Sequence, residues 1–116
     1  EWEEISNHLK RAEEHYRLSN FLDCVSACRT VIQELGYLQF KEKEWAGPFL
    51  KQLSNEPRKM TKSERSAAMW ATLRHYTHQA HHGASEAGHG VYGRHDAQLA
   101  LTLTAAFVAQ VQAELC

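Results

Sequence analysis

Apolar residues recur along this chain at spacings of three and four, the period of a helix that buries one face. Ile5, Leu9, Ala12 and Tyr16 form the first such stripe and predict a helix from about Glu3 to Leu18. Glu3 and Glu4 sit where negative charge favours a helix start. Ser19-Asn20 interrupts the pattern. Phe21, Val25, Cys28, Ile32 and Leu35 resume it, predicting a second helix from Phe21 to Leu35 that Gly36 stops. The short link makes these two helices an antiparallel hairpin. Residues 37–62 are less regular. A short helix is predicted over Pro48 to Leu53, with Pro48 in its first turn, and Asn55-Glu56-Pro57 ends it. Thr61 followed by Glu64 is a capping-box pattern. It opens a third long helix, expected to reach His82 and to stop at Gly83. A glycine-rich stretch covers Gly83 to Gly93, and Asp96 is expected to cap a last helix that runs to Leu115. No run of β-branched or aromatic residues alternates over five or more positions, so strands are not expected. The fold class is all-α, a compact bundle of four or five helices.

Length and composition narrow the picture without deciding function. The 116 residues suit a single domain, 1–116, large enough to bury a core without staples. The chain opens at Glu1, which fits a domain cut from a longer protein or a shortened one. Net charge is −1, so any anion site must be built locally. There are three cysteines and no visible secretory leader, which points to a reduced, cytoplasmic protein without a disulfide framework. Cys24 and Cys28, one turn apart, read as core filling. The last helix carries Gln98, Thr102, Thr104, Gln110 and Gln112, too polar for a membrane span. It is also nearly uncharged, which predicts burial on most sides, in part against a partner subunit.

Chemistry concentrates after residue 73. Five of the eight histidines fall within "LRHYTHQAHHGASEAGHG", residues 73–90. On a helix Arg74, His78 and His81 share a face, with His82 near them and His75 about a quarter-turn away. An arginine fork suits phosphate oxygens, and an imidazole can take a proton from a ribose hydroxyl or return one to a leaving oxygen. Together they suit RNA cleavage by 2′-hydroxyl attack with no metal and no other cofactor. Metal is the competing reading, with His78 and His82 four apart and His89 or His95 as a third ligand. No H-E-x-x-H is present, no cysteine lies near, and Glu86 and Asp96 are the only nearby carboxylates, so no metal is assigned. His75, His82 and His95 read more simply as exposed polar positions. "GASEAGHGVYG" lacks the G-K-[ST] ending of a nucleotide-binding loop. "PRKMTKSER", residues 57–65, sets Arg58, Lys59, Lys62 and Arg65 against one acid; it reads as a solvated loop or as a patch for RNA backbone.

The spacing Arg74-His75-x5-His81 resembles the R-x(4–6)-H motif of the HEPN superfamily, whose second position is commonly polar. "HLKRAEEHYRLSNFLDCVSACRTVIQEL" is similar to the opening hairpin of many such domains. "GHG" followed by "DAQLALTLTAAFVAQVQAEL" resembles the C-terminal module of bacterial abortive-infection proteins. The resemblance implies a helical bundle and a homodimer whose motifs face each other across one cleft. It implies a metal-independent endoribonuclease of a toxin or antiviral-defence system, with a fused or separate sensor or antitoxin. In that role Arg74 holds the scissile phosphate and His81 is the base or acid. His78, which crowds the motif, is the alternate, and His75 supports. Other members of the group have lost catalysis, so the alternative is a non-catalytic module for dimerisation, RNA binding or regulation.

Overall fold

The computed structural model describes residues 2–78 and 92–115, and these are helical with no strand among them. The order is α1 (Trp2–Arg17), α2 (Phe21–Phe40), α3 (Ala46–Asn55), a single 3-10 turn at Pro57–Lys59, α4 (Lys62–Tyr76) and α5 (Arg94–Leu115). The domain is an all-α bundle with a radius of gyration of 14.1 Å.

Helix α2 is the axis of the bundle. Cys24, Val25, Cys28, Val31, Ile32 and Leu35 are all buried, so the helix is covered nearly all round. α1 lies along one side of it, contributing Ile5 and Ala12; α5 and α4 cover the others with Ala100, Phe107, Val111, Trp70 and Ala71. The turn between α1 and α2 is tight, with Ser19 in the left-handed region at φ 62°. Cys24 and Cys28 are in the core, as their spacing predicted.

Three boundaries differ from the sequence expectation, each for a packing reason. α2 does not stop at Gly36 but continues to Phe40, closing on Lys41 in the left-handed conformation. Gly36 is buried inside the helix because the indole of Trp45 lies where a side chain would be. The glycine serves a close approach rather than a stop. Around it Phe40 contacts Trp45, Phe49 and Trp70, with centroids 5.8, 4.9 and 6.0 Å away.

α4 begins as expected, with Thr61 and Glu64 making both halves of a capping box. It ends at Tyr76, not His82. Thr77 is fully buried, and its hydroxyl is within hydrogen-bond reach of the carbonyls of Leu73 and Arg74, at 3.1 and 3.0 Å. This satisfies carbonyls that the next turn would otherwise have used.

Asp96 is not the cap of α5. Ala97 N–H donates to the Gly93 carbonyl at 3.0 Å, which places Gly93 at the cap. Asp96 reaches back from the first turn to accept the Gly93 N–H at 2.9 Å. Nor is α5 buried on most sides: Gln98, Leu99, Thr102, Ala106, Ala109 and Gln110 form an exposed face. Its lack of charge reflects small and amide side chains facing water.

Candidate functional site

α2 and α4 run side by side in opposite directions, and their polar residues pair across the gap. Arg29 and Gln33 are one turn apart on α2; Arg74 and His78 are one turn apart beyond and within the end of α4. Arg74 Nε donates to Gln33 Oε1. Arg29 Nη1 lies 3.4 Å from His78 Nδ1. An arginine nitrogen can only donate, so this contact is a hydrogen bond when Nδ1 carries no proton. In that tautomer the ring proton sits on Nε2.

Depth differs among the four. His78 is exposed, Arg74 and Gln33 are half-buried, and Arg29 lies beneath them with only 8% of its surface accessible. Its Nε is buried with no hydrogen-bond partner. Loss of water, and then the nearby charge of Arg74, hold the Arg29 guanidinium below its usual pKa. Among the described residues no carboxylate pairs with either arginine; the ion pair there joins Lys59 and Glu56. A guanidinium this deep is normally paired. Here, among the described residues, the charge that acts on it is that of Arg74, of the same sign.

Gln33 is itself held. Its Nε2 donates to the Lys43 carbonyl at 3.0 Å, and its own carbonyl accepts from Trp45 Nε1 at 3.3 Å. The loop before α3 therefore fixes Gln33, and Gln33 fixes the Nε edge of Arg74. That leaves the two terminal nitrogens of Arg74 directed away from this bond, the geometry that a bidentate grip on an oxyanion needs.

The far end of the site is anchored through tyrosines. Tyr76 donates its hydroxyl to Asp96 Oδ1 at 3.0 Å, and the Tyr92 hydroxyl donates to the Tyr76 carbonyl. The two rings meet edge to face at 5.7 Å. Burial first, then Asp96, pushes the Tyr76 hydroxyl up to about 12. The Gly93 N–H, and then Tyr76, hold the Asp96 carboxyl below its ordinary value. α4 and α5 are thus tied together one residue from Thr77.

The residues singled out from the sequence divide clearly. Arg74 and His78 share one face, as expected, and that face looks onto α2. His75 is exposed and points aside. His95 is also exposed. His81, His82, His89 and Glu86 lie outside the described residues. Among the described residues no three of His, Cys, Asp and Glu are grouped as metal ligands would be. The basic stretch is at the opposite end of α4: Lys62 and Arg74 are about 18 Å apart along the helix axis. Lys59 is paired with Glu56 at 2.9 Å, and Arg65 Nε donates to the Met60 carbonyl at 3.0 Å. Arg58 and Lys62 are exposed.

Arg29 and Gln33 were not singled out by sequence reasoning. Their signal was present: both are polar, four apart, within a helix whose other inward positions are apolar. A charge in such a stripe marks either a buried pair or a site.

A second surface feature lies elsewhere. Leu53, Met69, Leu99 and Leu103 line an apolar groove between α3, α4 and α5. Met69 and Leu99 are about half exposed, at 55% and 49%. On α4, Met69 and Tyr76 lie roughly half a turn round from Arg74. The groove and the arginines therefore occupy opposite sides of the helix. Val108, on the inner side of α5, is buried in the core.

No family model, curated protein or solved structure matches this chain.

Proposed function

We propose that the domain is a HEPN-like, metal-independent endoribonuclease of a toxin or antiviral-defence system. The observation that supports this best is the juxtaposition of Arg74, Arg29 and His78 with no neutralising carboxylate among the described residues. A half-buried guanidinium with an exposed imidazole beside it and a second guanidinium beneath suits a phosphodiester. In the proposed reaction a ribose 2′-hydroxyl loses its proton to a histidine and attacks the adjacent phosphorus. The bond to the 5′-oxygen breaks, and that oxygen leaves with a proton from an acid. The products are a 2′,3′-cyclic phosphate and a 5′-hydroxyl.

Arg74 grips the non-bridging oxygens and stabilises the charge that grows on them. His78, whose Nδ1 lies 3.4 Å from Arg29 Nη1, is the alternate to His81; to protonate the leaving 5′-oxygen it has to be an imidazolium, with both ring nitrogens protonated and that contact to Arg29 given up. The base is assigned to His81, as the motif spacing implies, with His75 in support. Arg58, Lys59, Lys62 and Arg65 would hold flanking backbone some distance from the cut. A homodimer is part of the proposal because the resemblance implies one; the exposed Met69 and Leu99 suit association of copies through the groove, on the side of α4 away from Arg74. The reading belongs to the cytoplasm; no helix among the described residues is long and apolar enough to cross a membrane.

The deciding experiment incubates a mixed RNA pool with wild type and His81→Ala in the presence of chelator. Cleavage by wild type alone, leaving cyclic phosphate ends, supports the enzyme. Absence of cleavage by a folded, dimeric wild type supports the non-catalytic binding module instead.

A further inference from the structure

We infer that Arg29 and Arg74 form a phosphate clamp that is complete within one chain, with Arg29 of α2 as its second cation. The clamp rests on the ribonuclease reading for the identity of its ligand, an RNA phosphodiester, but its ability to bind phosphate is separable from cleavage.

The starting point is a cost. Arg29 is more than nine-tenths buried, its Nε has no partner, no carboxylate among the described residues pairs with it, and the charge of Arg74 is near. An apolar side chain of the same length would fold better there. A buried cation with no carboxylate partner among the described residues suits a site where a bound anion compensates it. The compensating group has to be an anion, small enough to reach between α2 and α4 at the exposed end occupied by His78. It also needs several acceptor oxygens, since it has to serve two guanidiniums whose helical partners, His78 and Gln33, lie about one turn apart along the seam. A tetrahedral phosphate meets all three conditions. A carboxylate has only two oxygens in one plane and serves one fork.

Positioning is already built. Gln33 holds the Nε edge of Arg74, and the Lys43 carbonyl holds Gln33. Arg29 is fixed by burial and by its contact with His78. Neither arginine has to search for its place when the ligand arrives, so little side-chain entropy is lost on binding. The resemblance drawn from sequence implies that a second subunit contributes cations across a shared cleft. Here the second cation comes from the same chain, and the exposed apolar groove lies on the other side of α4.

The test uses the whole chain and inorganic phosphate as the probe, with chloride at matched ionic strength as the control. Calorimetry and thermal denaturation are run on wild type, Arg29→Met, Arg29→Lys and Arg74→Met. Wild type is expected to bind one phosphate per chain and to gain Tm with it. Arg29→Met is expected to bind about ten- to a hundredfold more weakly, while its phosphate-free Tm equals or exceeds that of wild type. Arg29→Lys keeps the charge without the fork and is expected to bind more weakly than wild type. A lower phosphate-free Tm in Arg29→Met overturns the inference, because Arg29 is then a structural strut. Unchanged phosphate affinity in Arg29→Met or in Arg29→Lys also overturns it. Repeating the titration on Leu99→Glu, sedimenting as a monomer, tests the single-chain claim; loss of affinity there overturns that claim. An RNA oligonucleotide with a 2′-deoxy residue at the scissile position should displace phosphate competitively. If it does not, the ligand is free phosphate or another phosphoryl compound, and the RNA assignment is overturned. Phosphate binding without RNA cleavage leaves the clamp standing and removes the ribonuclease. Cleavage with phosphate affinity indifferent to Arg29 does the reverse.

Discussion

Gly36 and Trp45 occupy a single space: a Cβ added to Gly36 would lie 1.9 Å from Cε2 of the indole. The tryptophan cannot back away, because it is buried and stacks on Phe40 while its Nε1 reaches the Gln33 carbonyl. Gly36→Ala is therefore expected to destabilise the fold by about 3 kcal/mol, the upper range for overpacking a core. Trp45→Leu in the same background should recover part of that loss. Urea denaturation of the two single variants and the double variant measures the coupling; additive effects would show that the two residues do not share space.

Arg74 should matter more for cleavage than for stability. Arg74→Ala is expected to lower the single-turnover rate by about a hundredfold or more, and Arg74→Lys by less, because lysine keeps charge but not the fork. Gln33→Leu should fall between wild type and Arg74→Ala, since it frees the arginine without removing it. Circular dichroism should find all three folded. Unfolding of Arg74→Ala would make Arg74 structural.

Stability should respond to pH at both extremes through Asp96 and Tyr76. The Asp96 carboxyl is held below its ordinary value by the Gly93 N–H and then by Tyr76. A depressed pKa contributes stability above the unfolded value, near 4, and that contribution disappears as pH falls through the folded value. The Tyr76 hydroxyl is raised to about 12, chiefly by burial. Its contribution is complete below the unfolded value, near 10, and is lost as pH rises towards the folded one. Asp96→Asn should cost about 1 kcal/mol at neutral pH and flatten the acid limb of a Tm-against-pH curve. Tyr76→Phe should flatten the alkaline limb. Parallel curves for wild type and both variants would show that the contacts do not titrate.

Salt should weaken RNA binding through the distant basic stretch. Removing Arg58 or Lys62 is expected to reduce the slope of log affinity against log salt by about one each, without changing the cleavage site. Lys59→Ala should do less, because that ammonium already faces Glu56.

Association, if it uses the groove, depends on residues that face water. Leu99→Glu should yield a folded monomer in sedimentation. Val108→Glu should unfold the domain instead, since Val108 is only 7% exposed and a buried, unpaired charge is not tolerated. A folded Val108→Glu dimer would contradict the packing of α5.

The helices were legible in the sequence because their apolar spacing is regular; Ile5 and Ala12, or Val25, Cys28 and Ile32, needed no tertiary information. The ends were less so. Gly36 has the composition of a stop, and only Trp45, nine residues on, gives it another purpose. Tyr76 closes α4 because of Thr77, and it is held by Asp96, twenty residues away in sequence. Half of the candidate site was visible as well. Arg74 and His78 are four apart, a spacing that puts them on one face by arithmetic, although α4 itself closes at Tyr76. Arg29 and Gln33 belong to a different helix, and no local pattern says which helix they will meet. The last helix shows the same limit in reverse: its lack of charge suggests burial on most sides, but Gln98, Leu99 and Thr102 face water while Val108 is covered.

The antiparallel pairing of Arg29 with His78 and of Gln33 with Arg74 also makes the α2–α4 seam a lock on register. Sliding α4 by one turn along α2 in one direction would set Arg74 opposite Arg29 and bring Trp70 against the amide of Gln33. Apolar seams accept such slips cheaply, since one branched side chain replaces another. This one does not, because the slipped arrangement confronts two cations in a dry place. The residue that burdens the folded state thus burdens its nearest misfolded neighbour more.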